Sequence, residues 1–483
     1  MASASVSGRS LERGAVGLVP VLFQSITHMA PAAAVAFSII VGVPYAGGSM
    51  PLAVVLALVA CILVAISVGQ LARHMPSAGG LYTYNARGLG STVGFLVAWG
   101  FMLAEPLVAP LLFLIFANVI SANLNAHFGT PVWLWAPLVL VAAAVVWFLT
   151  YRGIRLSTGA GVGLGLFEIG VFVLVALVLI VAAGDRNTAA VLTPGPGGGL
   201  GKVFPGMIYA ILAFIGFEAS APLGEEARDP RRTIPVAVVL SCLLIGAFYI
   251  FTTYAASVYF GPSRMADPKQ GFVTLNGGDP WTGMATQVWG PLGVLVILAV
   301  VNSAIANANA GANAATRVGY ALARIGLLPA ALATVHPEHR TPALAVHVQA
   351  VAGAALALVL GIVLGGPLSA FALLGTMATI VVICIYVLTN VSNLVFHLRE
   401  RRAEFNVLTN GVVPVLGVLV FLPALVASLG IDFGGLGITP LGPPANAAPA
   451  IIAVWLVLGV AALVYFRLRA PQRIQETAAL FVE

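Results

Sequence analysis

Long apolar runs separated by short polar segments dominate the chain. Each run is long enough for an α-helix to cross the apolar core of a bilayer, which takes about 20 residues. The runs predict twelve membrane-spanning helices, near residues 15–43, 48–71, 93–121, 132–151, 160–183, 203–225, 235–259, 286–315, 342–364, 369–397, 411–429 and 448–467. The pattern therefore predicts an all-α polytopic membrane protein.

The composition supports this class and excludes others. Of the 483 residues, 60% are hydrophobic and only 8% are charged, whereas a soluble globular protein carries about 25% charged residues. A soluble enzyme or a nucleic-acid-binding protein is excluded, despite the net charge of +6. Cys61, Cys242 and Cys384 lie inside apolar runs without a CxxC pattern. We therefore expect no metal site and no cofactor.

The distribution of Lys and Arg predicts the orientation. With a cytoplasmic N-terminus, all but four of the 22 basic residues fall on the cytoplasmic side, as the positive-inside rule requires. The four on the other side are Arg186, Lys202, Arg264 and Lys269. Both termini are thus predicted to be cytoplasmic, in a multi-pass protein of the plasma membrane. The positive charge is a topology signal.

Two spans contain residues that interrupt a membrane helix. The first span has a polar cluster that ends in Pro31, and the sixth has Gly216, Glu218 and Pro222 close together. Interrupted helices at corresponding positions of two halves indicate an inverted-repeat transporter with its site near the bilayer midplane. Two ordinary proline kinks are the alternative. Half-helix N-termini suit a carboxylate, and exposed carbonyl groups suit an ammonium group or a cation.

The interrupted segments supply most of the candidate substrate-binding residues. In the first span these are Thr27, His28, Met29 and Ala30. In the sixth span they are Phe214, Ile215, Gly216 and Phe217. The aromatic rings of Phe214 and Phe217 are candidates for a gate over the substrate, and packing aromatics are the alternative.

Three acidic residues lie inside predicted spans, where a charge costs at least a few kcal/mol. They are Glu105 in the third span, Glu168 in the fifth and Glu218 in the sixth. Glu105 is a candidate for binding a substrate amine, or for pairing with His28. The eighth span is rich in asparagine, and Asn302, Asn309 and Asn313 share one helical face. Asn302 is the candidate substrate ligand there, and amide hydrogen bonds between helices are the alternative.

Three motifs resemble those of the amino acid–polyamine–organocation (APC) permeases. They are Pro76–Gly90 after the second span, Gly216–Glu218 with Glu225–Pro235 in and after the sixth, and Thr316–Pro329 after the eighth. The resemblance implies a LeuT-type fold of two inverted five-helix repeats plus two extra helices. The expected organisation is a cytoplasmic segment 1–14, a transporter core 15–397 with repeats at about 15–183 and 203–397, two additional helices within 411–467, and a cytoplasmic tail 468–483.

The resemblance also implies the function. It predicts a secondary transporter of amino acids working by alternating access and coupled to protons, with Glu168 and Glu218 as the proton-coupling residues. The alternatives are structural roles: Glu218 hydrogen-bonded to neighbouring backbone, and Glu168 paired with an amide of the eighth span. Protons, the substrate and the lipid bilayer are the expected partners. No Walker-type phosphate-binding loop is present, and no HExxH motif or paired aspartates indicate a membrane enzyme. The oligomeric state is left open.

One departure from the family bears on the substrate. Members that bind α-amino acids carry a Gly/Ser-rich motif at the break of the first span, whereas residues 27–32 contain no glycine. A polyamine or another organic amine is therefore an alternative substrate. An amino acid/amine exchanger of the same fold is a further alternative.

Overall fold

The computed structural model describes residues 16–76, 79–153, 158–324, 326–432, 435, 437–472 and 474. The predicted segment 1–14 and most of the tail 468–483 lie outside these residues. Within the described ranges the chain is helical, and β-structure is limited to one backbone bridge between Val16 and Ala227.

Sixteen α-helices are present in the described part of the chain. They are α1 (Leu18–Met29), α2 (Pro31–Ala33), α3 (Ile39–Ala46), α4 (Met50–His74), α5 (Leu81–Leu89), α6 (Ser91–Phe128), α7 (Trp135–Tyr151), α8 (Thr158–Ala183), α9 (Leu200–Phe214), α10 (Pro230–Phe260), α11 (Pro280–Trp289), α12 (Val294–Arg324), α13 (Ala343–Val363), α14 (Pro367–Glu400), α15 (Val413–Ser428) and α16 (Ala448–Arg469). Two π-helical turns, Ala34–Ser38 and Val407–Val412, and short 3-10 segments, including Gly47–Ser49, Phe217–Glu225 and Phe272–Gly278, join or extend them.

The helices provide about twelve membrane crossings, as the sequence predicts. Eleven helical segments of the described chain are long and apolar enough to span a bilayer, and the first runs from Leu18 to His74 over 57 residues. A helix of that length would extend about 85 Å, more than twice the bilayer core. The 3-10 turn Gly47–Ser49 divides the segment, and Gly47 has φ 53 and ψ −133 there. The first segment therefore comprises two crossings.

Burial distinguishes inner helices from outer ones. Inner helix α4 carries Ala53, Ala57 and Ala60 on its fully buried face, and small residues of this kind let neighbouring helices approach closely. The outer helices α7, α13 and α16 expose large apolar side chains, such as Val363 and Val457. Exposed apolar surface on this scale faces lipid in a membrane protein.

Helix α6 contains Pro106 and Pro110, and a neighbouring helix pairs with the backbone carbonyl that Pro110 leaves without a donor. Pro110 has no N–H to donate to the carbonyl group of Pro106 one turn earlier. The Gln349 side chain of α13 supplies the missing donor, with its Nε2 atom 3.0 Å from that carbonyl oxygen. The pairing fixes the part of α6 that carries Glu105.

The first APC-like motif forms α5, which is fastened to α14. Asn85 donates to the Thr389 hydroxyl at 2.9 Å and accepts from the Ser392 hydroxyl at 2.8 Å. Arg87 forms an ion pair with Glu400 at 2.9 Å. Ser77 and Ala78 of this motif lie outside the described residues.

Candidate functional site

The first span breaks where the sequence places a proline. Helix α1 ends at Met29, Ala30 adopts a left-handed conformation with φ 47, and Pro31 begins α2. A residue before proline is disfavoured in the α region, and the proline ring cannot continue the hydrogen-bond ladder. The unwound point is therefore dictated locally by Pro31.

The sixth span breaks at a glycine. Helix α9 ends at Phe214, Ile215 is extended with ψ 125, and Gly216 has φ 115. That φ is open to glycine and strained for other residues. The chain then continues as the 3-10 segment Phe217–Glu225, which contains Pro222.

The two breaks lie side by side. A Cβ atom added to Gly216 would stand 2.8 Å from the carbonyl carbon of His28. The Ser25 hydroxyl donates to the carbonyl oxygen of Phe217 at 2.6 Å and accepts from the backbone N–H of Ser220 at 3.1 Å. The sequence prediction of two interrupted helices therefore holds in the fold, and the breaks meet at one place.

Tyr249 of α10 connects the two broken ends. Its hydroxyl oxygen lies 2.9 Å from the carbonyl oxygens of both Met29 and Ala213. Each carbonyl belongs to the last turn of a helix, where backbone acceptors have no partner within the helix. One tyrosine hydroxyl group thus contacts a terminal carbonyl group of both broken helices. No pattern in the sequence marked this residue.

A cavity opens beside the breaks, with a volume of about 70 Å³. Its walls come from the first span, α6, α9, α12 and α14, and most of its lining is apolar. Its polar lining residues are His28, Ser38, Glu105, Glu218 and Asn307. A water molecule needs about 10–15 Å³ on this measure, so the cavity has room for several.

Glu218 has its carboxyl group anchored on the cavity wall. Its Oε2 atom accepts a hydrogen bond from the Tyr386 hydroxyl at 2.8 Å and another from the backbone N–H of Gly216 at 3.1 Å. The second bond uses a backbone donor at the break of the sixth span. The chain's own carboxyl group therefore pairs with a backbone N–H at this break.

Two other acceptors that line the cavity have no partner among the described residues. They are Oε2 of Glu105 on α6 and Oδ1 of Asn307 on α12, both buried. A buried acceptor without a donor costs about 1–3 kcal/mol. A ligand with N–H donors would satisfy both acceptors.

Glu168 lies next to the cavity without lining it. Its side chain on α8 is 2% exposed, and it faces the Ser303 hydroxyl of α12 and the backbone of Ala32. Its Oε2 atom has no hydrogen-bond partner in the described structure. The carboxyl group thus lies between the fifth span, the eighth span and the second half of the first.

The predicted site residues divide into two groups. Those that line the cavity are His28, Met29, Ala30, Glu105, Ile215 and Glu218. The others, Thr27, Phe214, Gly216, Phe217, Asn302 and Glu168, lie outside its lining. Phe214 packs on Tyr249 with ring centroids 5.2 Å apart, and Phe217 packs on Tyr386 at the same separation.

The three asparagines predicted to share one face of the eighth span, Asn302, Asn309 and Asn313, do not line the cavity. Asn309 accepts a hydrogen bond from the Thr150 hydroxyl of α7 at 2.9 Å, and Asn313 donates to the backbone of Asn309 at 2.8 Å. The asparagine that reaches the cavity is Asn307, which sequence reasoning missed. In the sequence, Asn307 stands four residues after Ser303, so the two share one helical face. That spacing could have indicated Asn307 as a candidate.

The fold and cavity define a multi-pass membrane transporter built on two broken helices. The profile of the amino acid permease family matches residues 20–475. The chain belongs to this family, whose members are transporters of small molecules and not enzymes.

Three relatives are similar to this chain, and two of them are named for different substrates. The low-affinity putrescine importer PlaP of Escherichia coli K12 is 30% identical over 346 residues, 69% of this chain and 72% of the relative. An uncharacterized transporter of Mycobacterium tuberculosis is 28% identical over 413 residues, 84% of this chain and 86% of the relative. The branched-chain amino acid permease BcaP of Bacillus subtilis is 25% identical over 326 residues, 62% of this chain and 65% of the relative.

Proposed function

We propose that this protein is a proton-coupled secondary transporter that moves a small organic amine by alternating access. The observation that carries the proposal is the pair of unpartnered acceptors, Glu105 Oε2 and Asn307 Oδ1, in the wall of the cavity. An ammonium group has three N–H donors and no acceptor. Bound between these side chains, it would satisfy both acceptors and neutralise one carboxylate.

The electrostatics of the cavity favour an amine over a substrate with a free carboxylate. The lining contains two carboxyl groups, Glu105 and Glu218, and neither lysine nor arginine. At the break of the sixth span, the backbone N–H of Gly216 already donates to Glu218. At the break of the first span, the backbone of Ala32 lies beside Glu168. Putrescine is the substrate named for the relative PlaP, and it carries two ammonium groups without a carboxylate.

An amino acid is the second candidate substrate, and one feature favours it. The second half of the first span begins at Pro31, and no side chain caps its N-terminus. Ala33, in the first turn after that point, lines the cavity. A helix N-terminus attracts a carboxylate, so an α-amino acid could place its carboxylate there and its ammonium group at Glu105. The relative BcaP is named for branched-chain amino acids.

Glu168 is the proposed proton-coupling residue, with Glu218 as a second one. Glu168 is buried between α8, α12 and the break of the first span. A movement of the first span that opens the cavity would change the surroundings of its carboxyl group. Protonation of Glu168 and opening of the cavity would then be linked, since each favours the same arrangement.

The arrangement of the helices supports the proposed architecture. The breaks occur in the first and sixth spans, five spans apart, as expected for two inverted five-helix repeats. Residues 15–183 and 203–397 would form the repeats, and α15 and α16 the two additional helices. With the basic residues on the inner side, both termini would be cytoplasmic in a plasma membrane.

Uptake into proteoliposomes tests the proposal. We expect radiolabelled putrescine to accumulate when the outside is acidic, and to accumulate less without the proton gradient. At low putrescine concentration we also expect less accumulation in the Glu105→Gln variant. The matched control is Asn309→Ala, which removes an amide of α12 that is bonded to Thr150 outside the cavity. Accumulation of leucine but not putrescine would assign the amino acid candidate. Putrescine uptake that needs internal substrate and ignores the gradient would make the protein an exchanger.

A further inference from the structure

Trp281 joins a short helix to the wall of the binding cavity. It lies on α11 and is 1% exposed, and its Nε1–H donates a hydrogen bond of 3.2 Å to the carbonyl oxygen of Val35 in the first span. The other side of the indole packs on Phe172 of α8, with ring centroids 5.1 Å apart. The ring is thus wedged between α8 and the second half of the first span.

Val35 belongs to the π-helical turn Ala34–Ser38, all of whose residues are buried. A π-turn holds one residue more than an α-helical turn, is rare, and occurs frequently at functional sites. The extra residue disturbs the pairing of backbone groups, and a buried carbonyl group without a donor is costly. The indole of Trp281 supplies a donor to a carbonyl of this turn.

The two sides of the π-turn have different surroundings. Ala34 and Ser38 line the cavity, whereas Val35 presents its carbonyl to Trp281. Phe37 packs edge-on against Phe371, another lining residue, at 4.9 Å. If the turn relaxed to a regular α-helix, each following residue would rotate by about 100°, the angle of one residue in a helix. The cavity wall would then present different side chains.

We propose that Trp281 is a positioning residue for the binding cavity: its indole N–H holds the π-turn Ala34–Ser38 in the register that faces Ala34 and Ser38 into the cavity. Trp281 itself does not line the cavity. It acts through the backbone of Val35. The inference concerns the wall of the cavity and stands whichever substrate is carried.

Cysteine labelling tests the register directly. In a background with Cys61→Ala, Cys242→Ala and Cys384→Ala, single cysteines replace Ala34, Val35 or Ser38. Membranes are treated with 2-aminoethyl methanethiosulfonate, a small cationic thiol reagent. We expect labelling of Ala34→Cys and Ser38→Cys at least tenfold faster than labelling of Val35→Cys. If all three positions react alike, or none reacts, the turn does not present the proposed face and the inference fails.

The role of the indole N–H is tested by introducing Trp281→Phe into each single-cysteine variant. Phenylalanine keeps an aromatic ring but has no N–H donor. We expect the faster labelling of Ala34→Cys and Ser38→Cys to be lost. The ratio of their labelling rates to that of Val35→Cys should change at least tenfold. The matched control is Trp289→Phe, on the same helix and only partly buried, which should leave the ratio unchanged.

Two results would overturn the role of the indole. One is an unchanged labelling pattern in a folded Trp281→Phe variant, with folding checked by thermal unfolding. The other is an equal shift in Trp289→Phe, which would indicate a general loosening of α11. If Trp281→Phe does not fold, Trp281→Tyr, which also lacks the indole N–H, is judged by the same ratio.

Discussion

The Tyr386 hydroxyl of α14 donates a hydrogen bond of 2.8 Å to the carboxyl group of Glu218 in the break of the sixth span. The Tyr386 ring also packs against Phe217, the neighbour of Glu218, at 5.2 Å between centroids. One residue of the tenth span therefore holds both the acidic group and the aromatic residue of the unwound segment. The break in the sixth span is fixed in place by α14 as well as by its own glycine.

Tyr386→Phe should impair transport while leaving the protein folded. The variant keeps the ring contact with Phe217 and removes one of two donors to Glu218. A hydrogen bond is worth about 0.5–1.5 kcal/mol, and about 1.4 kcal/mol corresponds to a tenfold change in rate. Because the Glu218 carboxyl group loses a donor that fixes its position, we expect maximal uptake to fall up to about tenfold. Initial rates of putrescine uptake measure the change.

Tyr84→Phe is the matched control for that change. Tyr84 is fully buried, and its hydroxyl oxygen has no hydrogen-bond partner among the described residues. Removing an unpaired buried hydroxyl should leave uptake unchanged and the thermal unfolding temperature equal or higher. If the two variants behave alike, the bond between Tyr386 and Glu218 has no special role in transport.

Glu105→Gln should weaken binding of an amine. The substitution keeps the size of the side chain and removes the charge that would pair with an ammonium group. Charge-assisted hydrogen bonds of about 1.5–3 kcal/mol correspond to a rise in KM of about 10- to 100-fold. Saturation kinetics of putrescine uptake measure the change, and thermal stability should change little, since the side chain keeps its size. An unchanged KM would place the ammonium site elsewhere.

Asn307→Leu should act on the same substrate group without changing the charge. It removes the unpartnered acceptor Oδ1, and we expect a smaller rise in KM than for Glu105→Gln, about 3- to 10-fold. In a double variant the two effects should not add, because residues that share one ligand group are coupled. Additive effects would show that Glu105 and Asn307 contact different parts of the substrate.

Glu168→Gln should separate transport from the proton gradient. The carboxyl group lies outside the cavity lining but beside the break of the first span, so substrate binding can survive its neutralisation. We expect accumulation driven by a proton gradient to be abolished and exchange of internal for external substrate to remain. Counterflow and gradient-driven uptake are measured in the same vesicles. Glu404→Gln, at an exposed ion pair, controls for loss of an acidic residue, and normal accumulation in Glu168→Gln would exclude it from coupling.

The sequence predicted the helices and their breaks well because local physics determines both. A membrane helix needs a run of apolar residues, and proline and glycine weaken a helix at their own position, as Pro31 and Gly216 do here. For the same reason His28, Glu105 and Glu218 could be proposed as cavity residues. They lie in or beside those breaks, or are charged where charge is costly.

The partners of these residues could not be predicted in the same way. Tyr249, Tyr386 and Asn307 acquire their roles from helix packing that no local pattern records. The rotation of α12 decides that Asn307 faces the cavity while Asn309 bonds to Thr150. The asparagine spacing showed that some residues share a face, but it did not show which face points inward.

Gly216→Ala should abolish transport by separating the two broken helices. Gly216 has φ 115, and an added Cβ would lie 2.8 Å from the carbonyl carbon and 2.9 Å from the carbonyl oxygen of His28. Backbone atoms cannot move aside as a flexible side chain can, so the breaks would be forced apart and the cavity reshaped. Gly90→Ala is the matched control, because Gly90 also has a positive φ, of 94, but nothing within 4 Å of the added atom. We expect Gly90→Ala to cost about 1 kcal/mol of backbone strain with uptake retained, and Gly216→Ala to lose uptake at least tenfold in protein that still reaches the membrane. Equal losses of uptake in the two variants would show that backbone strain alone causes the effect. The close contact between Gly216 and His28 would then have no role in it.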